Sequence, residues 1–388
     1  MPRLRLLTVI YLSAFMGPFG GSMVVAMFQE LKRVFAVDVA VMALTVTVFM
    51  IPYSVLQLFF GPLSDIYGRK RVVAAGLSVY TAGALLAAAS TSIASFMASR
   101  LVQGVGAAIA LPVAMAMLGD EFPPSQLGKA MGGYSVAITL GNALGPLTGG
   151  LMATLDWRLA FIVMALPPLA VILLLKGWKP ARPPRRRETV KVFRVLATPT
   201  VLFTGLIGFM VFTVMIGVYT FTADALGSPP YLLASERIGY YLSLAGFTGL
   251  AAGPLAGALS DRFGRTPTIL LGLLLLSVAL LLLAAPGWST LMPPIMILVG
   301  AGSTTAFTSL GAVSVEVAPQ ARGTAASLYG FLRFLGYALG PILLLPAYHH
   351  LNVQGVALTS QTAIAAGLVL LLTLKRSLAK SRLGPKQA

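Results

Sequence analysis

The sequence predicts an all-α membrane protein, with twelve transmembrane helices arranged as two pseudo-symmetric six-helix bundles. Three observations predict it. Of the 388 residues, 57% are hydrophobic and only 10% charged, with a mean hydropathy of +0.88; a soluble domain carries roughly 25% charged residues. Twelve apolar runs, each near the ~20 residues a membrane helix needs, are separated by charged or Pro/Gly punctuation. Motifs of the first half also return in the second. Together these exclude a soluble enzyme, a disordered chain and a fibre. A membrane barrel is excluded because short alternating strands are absent.

The spans fall at about 6–28, 39–60, 72–90, 96–118, 130–152, 159–175, 200–222, 238–259, 268–285, 291–313, 324–346 and 354–374. The first follows Arg3 and Arg5 as a signal peptide would, but no small-residue cleavage site follows it cleanly, so it reads as a retained helix. The longest polar break, KGWKPARPPRRRETVKVFRV from Lys176 to Val195, reads as a solvated linker or a surface helix on anionic headgroups. The expected divisions are a first bundle over 1–175, a cytoplasmic linker over 176–199, a second bundle over 200–374 and a cytoplasmic tail over 375–388.

A net charge of +17 would suggest nucleic acid in a soluble protein. The positions of the charges decide otherwise. One alternating set of segments holds 22 of the 28 Lys and Arg residues, while the opposite loops hold only Lys32, Arg33, Arg158 and Arg237. Cytoplasmic loops carry such an excess, so both termini are expected in the cytoplasm, Lys129 and Arg322 with them. Lys32 and the loop pair His349 and His350 are expected outside. The basic excess also suits lipid headgroups. Cysteine is absent, and neither a metal site nor a cofactor is expected.

GPLSDIYGRK at Gly61 is answered by GALSDRFGRT at Gly257, an offset of 196; GNALGP at Gly141 is answered by GYALGP at Gly336, an offset of 195. The Gly128-Lys129-Ala130 turn is answered by Gly323-Thr324-Ala325, again 195. Parallel six-helix repeats place a substrate site near the midplane between the halves, with alternating access by rocking.

These residues resemble the major facilitator superfamily, and within it the twelve-helix drug:proton antiporter branch. GPLSDIYGRKR, Gly61 to Arg71, is similar to the family's signature loop between helices two and three. Arg100, Gln103 and Gly104 match its helix-four motif, and GNALGPLTGG, with Gly141, Gly145, Pro146, Gly149 and Gly150, matches its antiporter motif in helix five. The resemblance implies a cytoplasmic latch at Gly61, Asp65, Gly68, Arg69, Asp261 and Arg265 that opens and closes during transport. Physically, Gly61 lets a helix approach its neighbour, Gly68 permits a tight turn, and Asp65 can accept bonds from helix-end amides or an arginine. The four glycines of the fifth span fall on roughly one face, suited to close helix packing, and Pro146 adds a bend.

No carboxylate falls within the twelve spans, but two arginines do. Arg100 is near a span end and can snorkel outward. Arg333 lies near the midplane, flanked at i±4 by Tyr329 and Tyr337, which can stack on it. Ionisable groups at that depth are usually functional, and Arg333 reads as an anchor for the substrate's polar end. In the family topology, helices one, four, seven and ten line the path, so further cavity candidates are Phe15 and Phe19; Phe209, Phe212, Thr213, Ile216 and Thr220; and Thr304 and Thr308. Asn142 is a polar group in need of a partner. If protons drive transport, Asp65, Glu30 or Asp38 is the expected titrating acid.

The expected function is secondary active, proton-coupled efflux of small hydrophobic or amphiphilic compounds by a plasma-membrane monomer. The alternative is an exporter or flippase of anionic or lipid-like substrates that need not be proton-coupled. An enzyme would require a nucleophile–base pair or metal cluster at membrane depth, and the sequence offers neither.

Overall fold

The computed structural model describes residues 3–176, 199–316 and 322–382. Within them lie α1 (Arg3–Ala26), α2 (Phe28–Phe35), α3 (Val39–Tyr67), α4 (Arg69–Ala88), α5 (Ile93–Glu121), α6 (Pro124–Leu155) and α7 (Trp157–Leu175). They are followed by α8 (Pro199–Gly227), α9 (Ser235–Phe263), α10 (Arg265–Ala284), α11 (Met292–Glu316) and α12 (Arg322–Arg382). Eleven of these are long and apolar enough to cross a bilayer. The last contains two crossings, because its backbone leaves helical geometry at Leu351 and Asn352. The expected twelve spans and all-α class are therefore present.

Several boundaries differ from the sequence expectation. The segment after the first span is not a loop but α2, whose Phe28 and Leu31 are buried and which ends at Ala36 with φ 51°. Its apolar pattern is too short to register as a helix, yet Phe35 packs its ring 5.4 Å from Phe96 and 5.5 Å from Trp157. The signature loop is mostly helix, since Gly61–Tyr67 form the last turns of α3 and only Gly68, at φ 90°, turns the chain. Gly264 repeats this at φ 96°. Such angles favour glycine, which has no Cβ to clash. The Gly128–Ala130 and Gly323–Ala325 turns lie inside α6 and α12. His349 and His350 are helical residues just before the break. The tail remains helical to Arg382, and the linker, from 177 to 198, lies outside the described residues.

The described residues form two compact units, one of those up to 176 with 222–247, the other of 199–221 with those from 248 onward. In the first, α1 packs along α6. A Cβ on Gly141 would stand 2.5 Å from the Phe15 carbonyl oxygen, and one on Gly145 would stand 2.7 Å from that of Phe19; Gly149 meets Met23 in the same way. Gly150 faces away from this seam and meets Ser235 and Gly239 of α9, so the four glycines serve two interfaces. In the second unit, α8 packs along α12 in the same register, with Gly336 against the Phe209 carbonyl and Gly340 against Thr213 and Ile216.

Candidate functional site

Each unit carries an arginine-centred cluster at the turn between two helices. Arg69 pairs with Asp65 and with Asp120 at 2.9 Å, bonds Ser64, and reaches the Gly61 carbonyl at 3.3 Å. Arg265 pairs with Asp261 at 2.9 Å and Glu316 at 2.8 Å, and donates to Ser260 Oγ at 2.9 Å. Serine, aspartate, arginine and distal acid are all related by the 196-residue offset. The arginine thus ties the turn to the far end of α5 in one unit and of α11 in the other. Gly61 contributes its carbonyl, not a close approach: a Cβ there would meet nothing within 4 Å. Asp120 and Glu316 escaped the sequence reading. The available signal was an acid 51 residues after each arginine.

Arg100 does not snorkel. It is fully buried, with Nη1 donating to Gln103 at 2.7 Å, Nη2 donating to the Gly20 carbonyl at 3.1 Å, and its guanidinium 4.1 Å over the Phe49 ring. It joins α5 to α1 and α3. Gly104 packs on the Phe49 carbonyl, so the helix-four motif forms one packed group.

Arg333 sits in an aromatic cage. Its guanidinium carbon is 4.4 Å from the Phe334 ring, 5.4 Å from Phe212, 5.7 Å from Tyr329 and 5.8 Å from Phe307. Tyr337 instead packs against Phe212, at 6.5 Å. Phe307 and Phe334 were not singled out from the sequence, because which ring faces a neighbour depends on how the helices are rotated. The remaining cavity candidates are mixed. Phe15 and Phe19 stack at 4.8 Å, and Phe15 lines an apolar groove of about 270 Å³ with Tyr11, Ala137 and Leu140. Thr213 donates to the Gly336 carbonyl at 3.2 Å, so it and Ile216 lie in the α8–α12 seam. Thr220 and Thr304 are buried, whereas Thr308 and Asn142 are half-buried.

The candidate proton residues have settled partners. Glu30 pairs with exposed Arg33 at 2.7 Å, and that hydrogen bond and charge raise the arginine's pKa. Asp38 caps α3 by accepting from the Val41 amide at 3.0 Å. Asp65 is held by Arg69. A fourth acid corrects the expectation of carboxylate-free spans: α8 continues past 222 and carries Asp224, only 4% exposed. Lys32 of α2 pairs with it at 2.6 Å, and Gln29 donates to its carboxylate, its carbonyl and Ser228.

A family model described as Major Facilitator Superfamily matches residues 10–384. The riboflavin transporter RibZ of Clostridioides difficile is 26% identical over 86% of this chain and 86% of its own. Multidrug resistance protein D of Escherichia coli is 25% identical, again over 86% of each. Among solved structures, a bacterial homologue of the human lysosomal transporter Spinster, inward-facing and occupied, superposes with a TM-score of 0.70 at 18% identity, covering 98% of this chain and 97% of that one.

Proposed function

The chain belongs to the major facilitator superfamily, and on that footing we propose a secondary active transporter that works by alternating access and exports small amphiphilic compounds in exchange for protons. The observation that carries this reading is the duplicated arginine cluster. Charge pairs at the same turn of both repeats, half-buried around Arg69 and more exposed around Arg265, suit a two-state element held closed by specific pairs and released when they part. Similarity to a multidrug resistance protein and to a riboflavin transporter supports small organic cargo.

For the proton we favour Asp224 over Glu30, Asp38 and Asp65. Protonating it would cancel the charge that holds Lys32, and the contact is largely dry, so a neutral partner is a substantial change. We place both termini, Lys129 and Arg322 on the cytoplasmic side, in the plasma membrane.

Transport into inside-out vesicles tests the reading. Uptake of an aromatic amphiphile should rise with an acidic lumen and fall when an ionophore dissipates the gradient. Uptake indifferent to the gradient would favour the second reading, an exporter of anionic amphiphiles without proton coupling. The basic side chain in the cage supports that reading's view of the substrate's charge.

A further inference from the structure

We propose that Arg333 and the rings of Phe212, Phe307, Tyr329 and Phe334 form a binding site for a flat aromatic carboxylate. The site rests on the transporter reading above and assigns that reading a substrate class.

A guanidinium has five N–H donors and needs acceptors when taken from water. Arg333 lies in the middle of the first arm of α12, about 17 Å from its start at 1.5 Å per residue. It is half-buried, its Nε is buried without a hydrogen-bond partner, and no described carboxylate pairs with it. Four rings offset part of the lost hydration through their negative faces, but they accept no hydrogen bond of the strength a carboxylate offers. Arg100, whose Nε is likewise buried without a hydrogen-bond partner, differs at its terminal nitrogens: it is fully buried, and both donate, to Gln103 and to the Gly20 carbonyl.

The internal repeat supplies a control. Tyr329 donates to the Phe307 carbonyl at 3.1 Å, joining α12 to α11. Tyr134, 195 residues earlier, donates to the Leu111 carbonyl at 3.2 Å, joining α6 to α5. The scaffold is therefore duplicated, but its surroundings are not. Where the second unit has Phe307, Arg333 and Phe334, the first has Leu111, Ile138 and Thr139. The seams of α1–α6 and α8–α12 likewise set Pro18 opposite Phe212. The same helix packing stands without the arginine and without three of its rings. All four differ between the two units, so the shared packing does not account for them. Gly208 completes the arrangement, because a Cβ there would lie 2.8 Å from the Tyr329 ring and 3.6 Å from Arg333 Cβ.

A carboxylate matches the guanidinium fork with two parallel hydrogen bonds. A flat ring beside it finds edges and faces to pack on. A cationic or neutral analogue of the same shape would leave the guanidinium without its partner. Discrimination therefore falls on charge first and on flatness second.

Equilibrium binding to the purified protein tests this separately from transport, using 2-naphthoate, 2-naphthylmethanol and 2-naphthylmethylammonium as probes of one shape. Naphthoate should bind at least tenfold more tightly than the other two. Arg333→Ala should abolish that preference and Arg333→Lys should recover little of it. Phe307→Leu with Phe334→Thr, which installs the first unit's residues, should keep acid binding but lose the preference for naphthoate over octanoate. Melting temperatures on the same preparations guard against misfolding. Should Arg333→Ala melt earlier yet its folded fraction still prefer naphthoate, the arginine is a structural tie and the site is overturned. Equal affinity of the parent for all three probes overturns it as well. In nanodiscs, displacement of naphthoate by phosphatidylglycerol but not by phosphatidylcholine, dependent on Arg333, would make the occupant a lipid headgroup and overturn the aromatic assignment. Transport of amphiphiles without naphthoate binding sinks this site alone. Binding without transport of any amphiphile sinks the proposed function alone.

Discussion

Tyr134 and Tyr329, 195 residues apart, make the same interhelical hydrogen bond, to the carbonyls of Leu111 and Phe307. Each hydroxyl is held by a carbonyl of the neighbouring helix. The second sits 5.7 Å from the Arg333 guanidinium carbon, where the first repeat has Ile138 in place of the arginine.

Tyr134→Phe and Tyr329→Phe should therefore each lower stability by about 1 kcal/mol, the usual net worth of one hydrogen bond. Thermal melts of both variants should shift alike. Affinity for an aromatic acid should change only in Tyr329→Phe, whose ring then loses its anchor. Equal affinity changes in the two would contradict the difference between the repeats.

Asp65→Asn and Asp120→Asn should both slow transport about tenfold or more while leaving ligand binding intact, because each removes one arm of the Arg69 tie and biases the access equilibrium. Their counterparts Asp261→Asn and Glu316→Gln should be milder. The side chains of Asp65 and Asp120 are 20% and 23% exposed, those of Asp261 and Glu316 74% and 53%, and exposed pairs are worth little. Transport assays on the four variants check the order; wild-type rates for Asp120→Asn would remove α5 from the latch.

Asp224→Asn should make transport insensitive to an imposed pH gradient and leave half-buried Lys32 without its acid. Adding Lys32→Met should restore the melting temperature but not the gradient response. A double variant that still responds to the gradient would move proton coupling to another carboxylate.

Topology is testable in this cysteine-free background. Single cysteines at positions 32 and 349 should react with impermeant reagents in intact cells, and those at 129 and 322 only after permeabilisation. External labelling at 129 would invert the assigned orientation.

The sequence by itself determined the twelve spans, the duplication and the oddity of Arg333. Each is written locally or at an offset of 195 or 196 residues: hydropathy needs only some twenty consecutive residues, and a repeat needs only self-comparison. Gly68 was legible as a turn for the same reason, since a left-handed φ suits glycine wherever it falls. What the tertiary structure decided is which side chains meet. Asp120 and Glu316 complete clusters whose arginines lie 51 residues away, and Asp224 closes on Lys32 across 192. Arg100 turned inward to Gln103 and Gly20 when its sequence position allowed an outward reach. Phe307 and Phe334, not Tyr337, surround Arg333. Such pairings depend on how far each helix is rotated about its axis and how closely its neighbour approaches. In an apolar span almost every face is hydrophobic, so periodicity does not mark which face turns inward, and only the packed helices do.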